Sequence, residues 1–152
     1  VRVATRTEIQ AKAREYVGTP FQHQGRMKGV ALDCVGLILS VAEDLGIKDT
    51  RGVPILRIDY REYGPQPEGL LVLECCRDRL VAKGMGDLKP GDIICTSVPE
   101  MPTHTAIIVA RDGMFYMVHA YEGGTRKCVE HILDMKWRRR IVAAFEFSGV
   151  ED

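Results

Sequence analysis

The sequence carries no net charge: Lys+Arg and Asp+Glu each number 21 among 152 residues. Such a balance gives no global field to gather nucleic acid or an anionic membrane surface, so neither is expected as a partner. No apolar run approaches the roughly 18 residues that mark a bilayer-spanning helix, so no membrane span is expected. The segment Val1 to Arg14 is polar and charged and lacks an apolar signal-peptide core, so the expectation is synthesis in a cytoplasm without a signal peptide. No Cys-x-x-Cys pair occurs among Cys34, Cys75, Cys76, Cys95 and Cys128, which argues against a zinc site. An odd number of cysteines fits reduced thiols, and all but Cys34 are expected to serve as small core hydrophobes. Internal repeats and low-complexity tracts are also missing.

What remains is an ordinary globular composition, 45% hydrophobic and 28% charged. A single domain over residues 1–152, long enough to bury a core, is the expectation.

Helical signals come first. Thr7 to Gln10 fits a capping box that starts a helix through about Val17, ended by Gly18 and Pro20. Residues 19–32 read as loop. Asp33 then caps a helix from Cys34 to Leu45, with Val35, Ile38, Leu39, Ala42 and Leu45 as its apolar stripe and Gly46 closing it. Residues 47–66 read as irregular, and a third helix is expected from Pro67 to Lys83, closed by Gly84. Strand signals follow: Ile93 to Thr96 after the Pro90-Gly91-Asp92 turn, and a hairpin of His104–Ala110 and Met114–Tyr121 about Asp112-Gly113. Lys127–Ile132 and Arg140–Phe147 are expected as two more strands. Helices before strands argue for an α+β fold with an antiparallel sheet.

Two short tracts carry possible chemistry. In Asp33-Cys34-Val35-Gly36-Leu37 a thiol opens an apolar helix, where unpaired N–H groups and the helix dipole favour a thiolate. In Pro102-Thr103-His104-Thr105-Ala106 an imidazole opens a buried strand and can serve as base. Cys34 as nucleophile and His104 as base are the functional readings. A buried structural cysteine and a capping or surface histidine are the plain ones. His119 is the candidate orienter. If Asp112-Gly113 is a two-residue turn, His119 opposes Ala106, which shares a face with His104. The two histidines are then diagonal neighbours, roughly 7–8 Å apart at Cα. An unrelated strand histidine is the alternative. His23 lies in a loop before Cys34 and could line a cleft, whereas His131 reads as strand-end decoration. The run Trp137 to Arg140 reads as a solvated basic edge or a partner contact.

Taken together, Gly18-Thr19-Pro20-Phe21, Asp33-Cys34-Val35-Gly36-Leu37, Pro90-Gly91-Asp92, Thr103-His104-Thr105-Ala106-Ile107 and Val118-His119-Ala120 resemble the motifs of the NlpC/P60 family of papain-like cell-wall peptidases, in that family's order. The tract Phe21-Gln22-His23-Gln24-Gly25 and the ending from Trp137 to Phe145 resemble its phage, tail-associated branch. The resemblance implies a papain-like α+β fold, with the cysteine helix packed on an antiparallel sheet. It implies Cys34, His104 and His119 as catalytic residues, with no metal and no cofactor. The implied reaction is hydrolysis of the γ-D-glutamyl–diaminopimelate bond of peptidoglycan stem peptides. The implied partners are tail-tip or hub proteins, and the implied place of action is a phage or phage-like particle at the bacterial cell wall. The Cys34 backbone N–H would contribute to the oxyanion hole. Two positions depart from the family. Phe21 stands where tyrosine is usual, so Gln22, His23 or Gln24 would have to supply its donor. Val35 stands where serine is usual, next to the substrate beside Asp33. The alternatives are a structural tail-tip protein with an inactive papain-like fold, or a thiol amidase or acyltransferase on another substrate.

Overall fold

The computed structural model describes residues 4–22, 25–55, 69–97, 104–121, 124 and 126–152. Helix α1 (Arg6–Glu15) starts from Thr5, whose hydroxyl accepts the Glu8 N–H while the Glu8 carboxylate accepts the Thr5 N–H. The expected box at Thr7 and Gln10 is therefore displaced by one overlapping match, and the helix stops at Glu15 rather than Val17. Tertiary structure makes that choice, since Gln10 Oε1 accepts the Ala110 N–H at 2.9 Å.

The stretch read as loop contains a small two-stranded sheet, β1 (Arg26–Met27) with β2 (Ala31–Leu32). It leads into helix α2 (Cys34–Leu45), whose bounds, Asp33 cap and left-handed Gly46 match the sequence reading. Its burial does not: every residue from Cys34 to Ala42 is buried, so α2 is a central helix rather than a striped one.

The third helix, α3 (Gly69–Arg79), is shorter than expected at its C-terminal end, and Pro67 lies outside the described residues. Residues expected in its last turn form strand β3 (Val81–Lys83), because the edge of a later strand offers them pairing partners. Lys83 is further claimed by the buried Asp92 carboxylate at 2.7 Å.

Strands β4 (Ile93–Thr96), β5 (His104–Arg111), β6 (Met114–Tyr121) and β7 (Lys127–Ile132) follow, then a short helix α4 (Met135–Arg138) and strand β8 (Ile141–Glu146). The main sheet has six strands in the order β3-β8-β4-β5-β6-β7, all pairs antiparallel. Helix α2 packs on β5 and β6, and α1 packs on α2 and β5. This is the expected α+β architecture. Asp92, from the Pro90-Gly91-Asp92 turn, is fully buried between Arg6 at 2.7 Å and Lys83, and Arg6 also reaches Glu146 and Asp152. That charge cluster ties the start of α1, the turn before β4 and the C-terminus into one unit. Among the described residues no helix is long and apolar enough to cross a membrane. All five cysteines are buried free thiols.

Candidate active site

The site begins with the approach to α2. Gly25 passes so close to the next turn of chain that a Cβ there would sit 2.5 Å from the Leu32 N and 2.6 Å from the Ala31 carbonyl carbon. These are backbone atoms that cannot swing aside, and they lead directly into Asp33 and Cys34. Gly25→Ala should therefore destabilise the chain by about 1–3 kcal/mol, as overpacking does, measured by urea denaturation. The Asp33 carboxylate is buried and accepts the Gly36 N–H at 2.7 Å, while the Asp33 carbonyl accepts that of Leu37. The N–H groups of Cys34 and Val35 are left without intrahelical partners, as at any helix start.

Cys34 is 1% exposed. The Thr105 hydroxyl donates to the Cys34 carbonyl at 3.0 Å, which fixes α2 against β5 at the residue following His104. The expectation of a lowered thiol is not met. Burial pushes Cys34 up to about 12, with Asp33 adding to the rise and the Thr105 N–H and hydroxyl opposing it. Burial thus favours the neutral Cys34 thiol, because desolvation outweighs the helix start.

The hairpin is as read from the sequence. Asp112 and Gly113 both have positive φ, 52° and 76°, the conformation of a two-residue primed turn. The pairing Ile107↔Val118 puts His104 and His119 on one face. His104 Nε2 and His119 Nδ1 lie 2.6 Å apart, in a direct hydrogen bond, and both side chains are fully buried. Burial lowers His104 to about 3, and it lowers His119 well below the ordinary histidine range, helped by the neighbouring rings. His104 Nδ1 is buried with no hydrogen-bond partner among the described residues. An unpartnered buried nitrogen costs about 1–3 kcal/mol, so it calls for a reason.

Two residues that the sequence reading set aside, His131 and Trp137, and one it did not weigh, Tyr121, complete the surroundings. His131, taken as decoration, has its Nε2 2.7 Å from His119 Nε2. Trp137, taken as part of a solvated basic run, is buried, with its ring centroid 5.1 Å from His119 and 5.6 Å from His131. Tyr121 stacks on His119 at 5.3 Å. His131 pairs with Met117, which shares a face with His119, and that register carried no signal in the sequence.

The remaining candidates are less central. Gln22 is exposed and is held by its backbone, its N–H donating to the Leu32 carbonyl. His23 and Gln24 lie outside the described residues. Phe21 is half-buried and packs against the core. Val35 lines an apolar cavity between α2 and α3 with Ile38, Leu39, Cys76 and Leu80. Among the described residues no cluster of His, Cys, Asp and Glu side chains is arranged to hold a metal ion.

A helix-borne thiol packed on a sheet that presents paired histidines is the layout of a papain-like α+β fold. Solved structures of NlpC/P60 proteins share the fold. An NLP/P60 family protein similar to lipoprotein, from Staphylococcus aureus, aligns with TM-score 0.60 and 18% identity over 97% of this chain and 42% of that one. A Bacillus cereus NlpC/P60 family protein aligns with TM-score 0.65 and 20% identity over 97% of this chain and 41% of its own. The NlpC/P60 domain of the peptidoglycan hydrolase SagA aligns with TM-score 0.60 and 18% identity, over 95% of this chain and all of that domain. The chain thus spans about two fifths of the first two neighbours and the whole of the third. No protein-family model matches the sequence, and no curated protein matches it.

Proposed function

We propose that the chain is a cysteine peptidase that hydrolyses amide bonds in peptidoglycan stem peptides, with Cys34 as nucleophile, His104 as base and His119 as its orienter. The observation that carries this reading is the buried His104 Nδ1, without a partner among the described residues, held in place by the bond to His119, on the strand that packs against Cys34. In this scheme His104 Nδ1 takes the Cys34 proton as sulfur attacks the amide carbonyl carbon. The developing oxyanion meets the Cys34 N–H. His104 returns the proton to the leaving amine as the C–N bond breaks, leaving a thioester. Water, deprotonated by the same imidazole, then attacks the thioester, releasing the carboxylate and restoring the thiol.

The neutral resting pair means that the proton moves only when a substrate is in place, which is general-base catalysis rather than a preformed ion pair. The substrate class rests on the motif resemblance and on neighbours that include a peptidoglycan hydrolase domain. The γ-D-glutamyl–diaminopimelate bond is the favoured target. Carriage by a phage or phage-like tail, held by a tip or hub protein and acting at the cell wall, rests on the tracts from Phe21 to Gly25 and Trp137 to Phe145. One observation favours an inactive scaffold instead: no hydrogen bond joins the Cys34 sulfur to His104, whose Nδ1 has no partner among the described residues. Digestion of purified peptidoglycan with mass analysis of the fragments separates the two. Stem-peptide fragments that are lost in Cys34→Ala support the peptidase and identify the bond. An unchanged digest supports the scaffold. Co-purification with particles tests the tail assignment separately.

A further inference from the structure

We infer that His131 is a positioning residue that fixes, through His119, which nitrogen of His104 carries the hydrogen, and so leaves the lone pair on His104 Nδ1. The use of that lone pair rests on the peptidase reading above, whereas the hydrogen-bond chain does not.

The argument starts at a carbonyl. His131 Nδ1 lies 3.0 Å from the Ile132 carbonyl oxygen. A carbonyl can only accept, so Nδ1 of His131 carries the hydrogen. In a neutral imidazole Nε2 is then the acceptor. His119 Nε2, at 2.7 Å, must donate to it. Neutral His119 consequently accepts at Nδ1, and His104 Nε2, at 2.6 Å, must donate there. Neutral His104 is left with its lone pair on Nδ1, the one ring nitrogen of the three histidines without a partner among the described residues. Burial of His104 and His119 disfavours the charged forms that would break this alternation. Every direction is thus set by one backbone carbonyl at the half-exposed end of the row. Trp137 packs edge-on to His119 and tilted to His131, at 5.1 and 5.6 Å between centroids, which hinders both rings from turning over.

This assigns a purpose to an otherwise costly vacancy. A base must present a lone pair, and the reversed tautomers would put an N–H there. The row also accounts for a half-buried histidine at a position where strand chemistry asks for none.

The test is heteronuclear NMR on the whole chain with isotopically labelled histidine at neutral pH, reading the tautomer of each ring. The expected result is an N–H at Nδ1 of His131 and at Nε2 of both His119 and His104. The opposite tautomer at His131 or at His104 overturns the inference. In His131→Ala, solvent exchange of the His119 Nε2 hydrogen should quicken about tenfold, the equivalent of one lost hydrogen bond. His131→Gln should restore the slow rate, because its amide oxygen accepts the same hydrogen. Equal exchange in wild type and His131→Ala, or equal acceleration in both variants, overturns the positioning role. Stem-peptide turnover adds a second readout: kcat should fall about tenfold in His131→Ala, with KM unchanged, and recover in His131→Gln. A chain with the expected tautomers and no cleavage would refute the peptidase and leave the relay standing. An active chain with the opposite His104 tautomer would do the reverse.

Discussion

Replacing His104 by alanine should lower stem-peptide cleavage by about a millionfold, whereas His119→Gln should leave measurable activity. The difference follows from what each ring does in the proposed mechanism. His104 moves the proton at both halves of the reaction, so nothing remains to accept it when the ring is gone. His119 only receives the His104 Nε2 hydrogen, across 2.6 Å, and a glutamine oxygen can receive the same hydrogen. Loss of a base costs about 10⁶ in turnover in serine hydrolases and loss of its orienter about 10⁴. His119→Ala should therefore fall between the other two variants. Cys34→Ser should be as inactive as His104→Ala, since a hydroxyl is far less acidic than even this raised thiol. Steady-state cleavage of a purified muropeptide, with circular dichroism to confirm folding, checks all four variants. If His119→Gln is as inactive as His104→Ala, the roles of the two rings are wrongly assigned.

Legibility in the sequence followed the range of the interaction. Helix α2 was readable to the residue because its cap, Asp33, and its closing Gly46 are local devices. The His104–His119 pairing was readable because a two-residue turn transmits register rigidly across a hairpin. The next step was not readable. Residues 122–126 separate β6 from β7, and a connection of that length does not transmit register as a two-residue turn does, so the register that brings His131 beside His119 had no local signature. Trp137 misled for a related reason. Its basic neighbours describe the solvent side of α4, while the indole turns inward to the histidines. The first helix shows the reverse problem, an excess of signal. Thr5 to Glu8 and Thr7 to Gln10 both satisfy the capping pattern, and a contact of Gln10 with β5 decides between them. The thiol was misjudged because a helix start can be seen in sequence and complete burial cannot.

Burial of the two neutral histidines should make the fold acid-labile well above the range where carboxylates titrate. His104 is lowered from 6.5 to about 3, and His119 moves in the same direction. Above about pH 6.5 neither the folded nor the unfolded chain protonates them, and they contribute no pH dependence. Below that value the unfolded chain takes up protons that the folded chain refuses. Stability then falls as pH falls, by up to about 1.4 kcal/mol per pH unit for each histidine. For His104 the fall continues until about pH 3, where the folded state titrates as well. Urea denaturation at a series of pH values from 7 to 4 should show this slope. His104→Gln has no proton to bind, so its slope should be shallower by about 1.4 kcal/mol per unit, whatever its stability at neutral pH. Carboxylates contribute equally to both proteins and cancel from the comparison. Parallel slopes for the two proteins would mean that His104 binds its proton in the folded state as readily as in the unfolded one. The closed site that holds His104 neutral, as the proposed base requires, would then not exist.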